Sequence, residues 1–544
     1  MNSQTKKWEV LNKGKTKDIV KTLLKNRGLK TKKEIKEFLA PAEPEKISLK
    51  EFGISQKEIK KAIKRIKKAL KNKEKVIIYG DYDADGICGT AILWETLYFL
   101  GLNVLPYIPE RFSEGYGINA QSIENPKSEI RNSKLIITVD NGIVAAKEIE
   151  KINKMGIDVI ITDHHLPAKI KPKALAIIHT TKISGAGVAW VLSREILNGK
   201  KQNLELVAIG TIADQMPLVG PNRSFAKYGL IDLNKTKRLG LLALFEEARI
   251  KSGEIGTYEI NYVIVPRLNA MGRLVHAIDS LRLLCIKRSK KARELALLIG
   301  KTNAERQKIV EKVVLHAKEA LGGKIKEGII ILAHEEYHEG VIGLAASKLV
   351  EEFYRPAIVL SKKGEISKAS ARSISGFNII EAIRKLEGLY IEGGGHPMAA
   401  GFSIETAKIE EFTEKLNKIS KQYLTKEILT KKLKIDLEIQ FNQINYELFE
   451  SLKQFEPTGI GNPAPIFMSK GVKVTDARVV GRDGSHLKLK LELGNIFIEA
   501  IGFGFGNLLP DLTPGKPIEV VYSVEDDTWN GYKKLQLKIK DLRI

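Results

Sequence analysis

The chain has 544 residues, enough for about three or four domains with cores of their own, and 89 lysines and arginines against 65 acidic residues give it a formal net charge of +24. Two cysteines, Cys88 and Cys285, exclude a disulfide framework, and no apolar run approaches the length needed to cross a bilayer. The charge favours polyanionic partners, nucleic acid first, and the polar start Met-Asn-Ser-Gln-Thr-Lys-Lys sets the expectation of a cytoplasmic protein.

Residues 1–50 read as a short, basic, helical segment broken by Pro41-Ala-Glu-Pro44. Ile59, Ile63, Ile66 and Leu70 then recur at helical spacing within a lysine-rich stretch, which predicts a helix docked on one side with a wet, basic outer face. From Lys75 to about residue 220, apolar runs alternate with helical stretches, the pattern of a doubly wound parallel sheet. In such sheets ligands bind beyond the carboxyl ends of the strands.

Three acidic motifs fall at such ends. The run Val76–Gly80 leads into Asp81-Tyr-Asp83-Ala-Asp85-Gly86, Leu135–Val139 leads into Asp140, and Asp158–Thr162 leads into Asp163-His164-His165. That density of negative charge in one turn is costly unless a cation neutralises it. The first motif copies the opening of an EF-hand, but the twelfth position is Ile92 rather than glutamate, and a strand precedes it. Taken alone, the aspartates could be turn formers. Asp214, closing Leu206-Val-Ala-Ile-Gly-Thr-Ile-Ala-Asp214, adds a carboxylate from a further element, although it could equally be a cap. Carboxylates and imidazoles without cysteine suit manganese or magnesium better than structural zinc.

Arg267, Asn269 and Arg273 in Pro266-Arg-Leu-Asn-Ala-Met-Gly-Arg273 offer donors separated by small residues, as a phosphate site would require. In Arg111-Phe-Ser-Glu-Gly-Tyr116-Gly117, Arg111 and Tyr116 could line a strand channel by phosphate contact and base stacking. A long helical pattern from Ser289 to Leu321 precedes a second α/β unit between Glu327 and about Ala407, and a two-domain clamp is the natural expectation. There, Ser370-Ala-Arg372 and Gly393-Gly394-Gly395-His396 supply a hydroxyl, a guanidinium, bare amides and an imidazole. Beyond about Leu433, short strands with turn signals at Gly481-Arg-Asp-Gly484, Gly494-Asn495 and Trp529-Asn-Gly531 fit an OB-type barrel, with His486, Lys488 and Lys490 on one strand face.

In order along the chain, Asp81–Gly86, Val139-Asp-Asn-Gly142, Asp163–His165, Ala208–Asp214, Arg267–Arg273 and Gly393–His396 resemble the motifs of the DHH phosphoesterase superfamily. Phe455-Glu-Pro-Thr-Gly-Ile-Gly-Asn-Pro-Ala-Pro465 is similar to its RecJ branch, the single-strand-specific exonucleases. The resemblance implies an N-terminal helical segment (1–50), a parallel-sheet DHH catalytic domain (51–288), a connecting helix (289–321), an α/β DHH-associated domain (322–425) and an OB-fold domain (426–544). It makes Asp83, Asp85, Asp140, His164 and Asp214 metal ligands, with Asp81, Asp163 and His165 as ligands or close supports. Arg273, Ser370, Arg372 and His396 would hold the scissile phosphate. Tyr79 stands where many relatives carry histidine, which puts the number of metal sites in question.

The implied activity is removal of nucleotides from the 5′ end of single-stranded DNA, in repair and recombination, with two manganese or magnesium ions. The implied partners are single-stranded DNA, a helicase and a single-strand-binding protein, with the enzyme a monomer away from membranes and with no further interaction domain after the barrel. Short RNA oligomers or a cyclic dinucleotide form the alternative substrate class. An inactive nucleic-acid-binding scaffold is the non-enzymatic alternative.

Overall fold

The computed structural model describes residues 6–13, 16, 18–125, 130–199, 202–322, 328–481, 483–527 and 534–544. The turn residues Arg482 and Trp529-Asn-Gly531, and Glu327 at the expected start of the second α/β unit, lie outside them. The chain divides into two compact units, Ala42–Leu429 and a second made of Met1–Pro41 with Thr430–Ile544. The division falls inside the Pro41-Ala-Glu-Pro44 break.

The first residues are not purely helical. Strand β1 (Lys7–Val10) leads into the helices Ile19–Asn26 and Lys32–Leu39. Helical spacing is the wrong period for Trp8 and Val10, which alternate on one strand face and pack with Ile435, Met468 and Val521. A sequence window of four residues is too short to reveal this. The pairing partner lies more than 400 positions away, in β12 (Lys432–Ile435).

In the larger unit, β2 (Lys75–Gly80), β3 (Asn103–Tyr107), β4 (Leu135–Val139), β5 (Asp158–Asp163) and β6 (Ala176–His179) form a wholly parallel sheet in the order β3-β2-β4-β5-β6. The central strands are apolar on both faces, as burial between two helical layers requires. Val76 and Ile78 join one layer with Ile87, Ala91, Ala186 and Trp190, whereas Ile77 and Tyr79 join the other with Ile118, Ile123 and Ile149.

The helix Gln56–Lys71 docks through Ile59, Ala62, Ile66 and Ala69, while Leu70 stays 39% exposed. Its one buried cation, Arg65, donates to the Asp158 carboxylate at 2.5 Å and to the Lys134 carbonyl at 3.0 Å, and pairs with Glu74 at 2.7 Å. A guanidinium can lie on this otherwise apolar face because its Nε and Nη2 are paired with two carboxylates and a carbonyl, while Nη1 is buried without a hydrogen-bond partner among the described residues.

The long helix Ser289–Leu321 joins this sheet to a five-stranded one. In that sheet β7 (Ile330–His334) and β8 (Ala357–Ser361) are parallel, and β9 (Ile366–Arg372), β10 (Glu392–His396) and β11 (Ala399–Glu405) complete the order β10-β11-β9-β8-β7 through antiparallel pairings.

In the second unit β13 (Leu437–Glu438) flanks a barrel of β14 (Phe467–Val480), β15 (His486–Leu493), β16 (Ile496–Gly502), β17 (Pro517–Asp527) and β18 (Lys534–Arg543), closed by the pairing of β14 with β17. Leu487, Leu489 and Leu491 point into its core, leaving His486, Lys488 and Lys490 on the outer face. Lys490 there lies 5.3 Å from the Phe497 ring centroid. Asn462 of the Phe455–Pro465 motif is buried, donates to the Phe455 and Pro457 carbonyls and accepts from Arg27, so that motif organises a loop.

Candidate metal centre

The carboxyl ends of β2, β4 and β5 deliver eight functional side chains to one place, together with the end of the helix Leu204–Ala213. Asp83 caps the helix Ala84–Phe99, accepting from the amides of Asp85 and Gly86 at 3.0 Å each. The fully buried Asp85 accepts from Gly185 N–H at 2.6 Å and Ala186 N–H at 3.0 Å. Asp140 sits just past β4 with φ 63°, a left-handed conformation that an aspartate tolerates better than most residues. Its amide is tied to the Thr162 carbonyl at 2.9 Å, so the unusual backbone is held from the neighbouring strand.

His164 Nε2 is the hub. It lies 3.1 Å from Asp140 Oδ1, 3.6 Å from Asp214 Oδ2 and 3.9 Å from Asp85 Oδ2. Three sets of donors have atoms mutually within 4.8 Å: Asp140 with His164 and His165, Asp85 with His164 and Asp214, and Asp81 with Asp83 and Asp140. Asp163 stands behind them. One oxygen takes the amides of His164 and His165 and the His165 Nδ1 at 2.8 Å, and the other takes the Ile143 amide at 2.8 Å.

The donor set fits divalent ions. Asp140 Oδ1 and His164 Nε2 are both buried and neither has a hydrogen-bond partner among the described residues, although they are only 3.1 Å apart. Unpaired buried polar atoms are rare in folded proteins, and two aimed at one point call for a cation. Glycines allow this crowding: a Cβ at Gly185 would lie 2.5 Å from Asp140 Oδ1, and one at Gly210 would lie 2.3 Å from Asp85 Oδ1.

Electrostatics agree. Burial, then the charge of Asp83, pushes the Asp85 carboxyl up to about 7, and burial with Asp85 and Asp83 pushes Asp214 up to about 8. Asp81 and Asp140 rise well above the usual carboxylate range for the same reasons. Burial, then neighbouring His165, pushes His164 down to about 4, which keeps its imidazole neutral and able to ligate. Burial also opposes charge on His165 and Asp163, but their mutual hydrogen bond and attraction win, raising His165 to about 9 and lowering Asp163. A neutral imidazole among carboxylates and a charged one locked to Asp163 thus stand side by side.

Other candidates part company. Burial, then Arg111, Arg306 and Arg372, brings Arg273 down to about 10, so these guanidiniums share a region of positive potential. Arg273 donates to the Gly340 carbonyl at 3.3 Å, Arg372 to Ser370 Oγ at 3.2 Å, and Arg111 lies over the Tyr82 ring at 5.0 Å.

Arg267 is engaged elsewhere, paired with Glu247 at 2.7 Å and bonded to the Val263 carbonyl at 3.1 Å. Asn269 accepts from Ala84 N–H at 2.7 Å through its side-chain oxygen and so pins the acidic loop. The Tyr116 hydroxyl bonds the Asp140 carbonyl and sits 3.3 Å from His165 Nε2, with half of the residue exposed. Gly394, Gly395 and His396 lie on the exposed strand β10, and no hydrogen bond or ion pair joins His396 to the carboxylates among the described residues.

Tyr79 points away from the centre. It is wholly buried in the opposite layer, its hydroxyl donating to the Gly117 carbonyl at 3.3 Å. Asn141, within Val139-Asp-Asn-Gly142, has a role that its sequence position does not announce. Its amide donates to the Tyr79 and Val139 carbonyls and locks the turn that carries Asp140. Spacing cannot reveal such a role.

Arg267→Ala is expected to lower stability by about 2 kcal/mol, the scale of a lost hydrogen bond to a charged group, with kcat unchanged. Denaturant unfolding and turnover of the same variant check the division of roles.

Three family models match the chain: DHH family, N-terminal domain, over residues 75–211; DHHA1 domain over 326–422; and RecJ OB domain over 435–541. Among curated proteins the chain is similar to the single-stranded-DNA-specific exonucleases RecJ of Bacillus subtilis, with 38% identity over 87% of this chain and 62% of that one, and of Haemophilus influenzae, with 33% identity over 86% and 87%. Against the Bacillus relative, therefore, the chain spans less than two thirds of the length. Among solved structures it resembles Thermus thermophilus RecJ in complex with Mn2+, with a TM-score of 0.84 and 29% identity over 100% of this chain and 80% of that one. The Mg2+ complex from the same source gives a TM-score of 0.77 and 27% identity over 99% and 78%.

Proposed function

This chain belongs to the RecJ family of DHH phosphoesterases, and from that premise we propose that it is a metal-dependent exonuclease that hydrolyses single-stranded DNA from the 5′ end. The observation that carries the proposal is the pair of buried, unpartnered atoms Asp140 Oδ1 and His164 Nε2 at the hub of eight ionisable groups.

In this reading Asp83, Asp85, Asp140, His164 and Asp214 hold two manganese or magnesium ions, with Asp81 completing the shell. Such ions supply Lewis acidity and neutralise the charge that develops on the phosphoryl oxygens. Asp163 is a positioning residue: by bonding both histidine amides and the His165 ring it fixes the two imidazoles. His165, held as a cation, offers positive charge beside the reacting phosphate. Arg111, Arg273, Ser370 and Arg372 receive a phosphate group, since converging guanidiniums that lower one another's basicity gain most from an anion between them. Tyr116 orients His165 at the strand's path, and His396 and the glycines of β10 approach the backbone when DNA is bound.

The barrel face bearing His486, Lys488 and Lys490 supports a polymeric substrate, as does the net charge of +24. We place the enzyme in the cytoplasm as a monomer, acting in repair and recombination with a helicase and a single-strand-binding protein. None of the described helices is long and apolar enough to cross a membrane.

End-labelled single-stranded DNA, the matching RNA and a dinucleotide, each incubated with manganese, magnesium or a chelator, test the proposal. Metal-dependent loss of nucleotides from the 5′ end of DNA is expected. Faster turnover of the RNA or the dinucleotide would assign the alternative substrate class.

A further inference from the structure

One helix departs from the charge pattern of the rest. Gln56–Lys71 carries seven lysines and Arg65 against the single acid Glu58. Its buried side holds Arg65 and the apolar residues, so all seven lysines stand on the exposed side. Only Lys61 is matched, by Glu58 at 2.8 Å; Lys57, Lys60, Lys64, Lys67, Lys68 and Lys71 have no ion pair among the described residues.

A generally lysine-rich surface does not account for this. The helix Ser289–Leu321 is twice as long, yet intersperses its basic residues with Glu294, Glu305, Glu311 and Glu319, and Lys291 pairs with Glu294 within it. In Ile409–Lys421, Lys415 pairs with Glu411. Like charges at i, i+3 and i+4 cost helix stability, so a sequence that keeps six of them unmatched forgoes an available gain.

We infer that this lysine face is a second binding surface for the phosphodiester backbone of nucleic acid, separate from the metal centre. Lys57 and Lys71 are 14 residues apart, about 21 Å along a helix, which spans about six base pairs of duplex. Successive helical turns bring lysines up every ~5 Å, close enough to track neighbouring phosphates.

Its place is fixed by Arg65, which reaches Asp158, the first residue of β5, and the Lys134 carbonyl, just before β4. The helix therefore covers the amino ends of the strands, whereas the carboxylates occupy the carboxyl ends, about five residues or ~17 Å of strand away. Nucleic acid held here would lie outside the cleavage site, as flanking duplex or trailing strand.

The composition selects the occupant. A protein interface is built on aromatic or apolar anchors and disfavours lysine, and this face offers no large apolar side chain except the 39% exposed Leu70. Flexible ammonium groups without a reading element suit a repetitive, sequence-independent polyanion. The inference stands on charge and geometry and does not depend on the nuclease reading.

The test uses covalently closed circular duplex DNA, which has no end to enter an exonuclease site, in chelator so that no turnover intervenes. The full chain is compared with a Lys60→Gln, Lys64→Gln, Lys67→Gln, Lys68→Gln, Lys71→Gln variant and with the five Lys→Arg changes at the same positions. Glutamine is a good helix former and all five positions are exposed, so the melting temperature should stay within a few degrees. The glutamine variant should bind at least ~10-fold more weakly at about 100 mM salt, and its log–log salt slope should shrink by roughly 2 to 4, while the arginine variant binds like the parent. Equal affinity and slope in the glutamine variant would overturn the inference, as would an equal loss in the arginine variant. Retained duplex binding with lost polyglutamate binding would assign the face to an acidic protein, and overturn it too.

Discussion

Asp140→Ala is expected to lower hydrolysis on the order of 10³-fold or more while leaving the metal-free fold intact. The two halves have one cause. Asp140 Oδ1 lies 3.1 Å from His164 Nε2 and 3.8 Å from His165 Nδ1, and Asp140 also closes the group formed with Asp81 and Asp83, so it is the carboxylate common to two of the three donor sets, as His164 is the imidazole common to two. Without it both would lose an anionic oxygen. Yet in the absence of ions Asp140 is a buried carboxyl with an unpartnered oxygen, raised well above its usual range by burial, then by Asp85, Asp83, Asp81 and Asp163. Removing it relieves repulsion, which offsets the strain that alanine meets at a φ of 63°, and the backbone stays anchored through the Thr162 carbonyl and the Asn141 side chain.

Asp140→Asn separates charge from shape. It retains the volume and should reproduce the loss of turnover while also cutting manganese-induced stabilisation. Single-turnover assays with manganese, and calorimetric melting of both variants with manganese and in chelator, decide the matter. Turnover near the parent level in either folded variant would remove Asp140 from the machinery.

Much of this centre is legible in sequence because parallel α/β sheets deliver side chains at strand ends, and acidic residues there declare themselves one motif at a time. Asp81, Asp140 and Asp163 each follow or close an apolar run, and their convergence follows from the adjacency of β2, β4 and β5. What stays hidden is pairing between distant segments. Arg267 looks like a phosphate ligand until Glu247, 20 residues away, takes its guanidinium, and nothing in the sequence links the Asn269 oxygen to the Ala84 amide that it accepts from. Tyr79 raises a question about metal number in sequence, and the alternation of β2 answers where it goes, into the layer opposite the helix Ala84–Phe99. The strand Lys7–Val10 is invisible for the same reason as Arg267: its partner is remote in sequence.

The second large effect is a pH-dependent gain in stability from divalent ions. In the metal-free protein Asp85 is raised to about 7 and Asp214 to about 8, against ordinary carboxyl values near 4 in the unfolded chain. Below about pH 4 both states are protonated and the site costs nothing. Between about 4 and 8 the unfolded chain ionises while the folded site keeps its protons, so stability falls as pH rises through this window and the loss is complete above the folded values. Ions reverse the cost only where carboxylates are ionised or give up a proton easily. The rise in melting temperature caused by manganese should therefore be small at pH 5 and several-fold larger at pH 8, with chelator restoring the unliganded value at both. His164, already neutral above about 4, adds nothing across that range. A manganese shift of equal size at both pH values would mean that the ion enters without displacing protons, and the buried carboxylates would then not be what holds it.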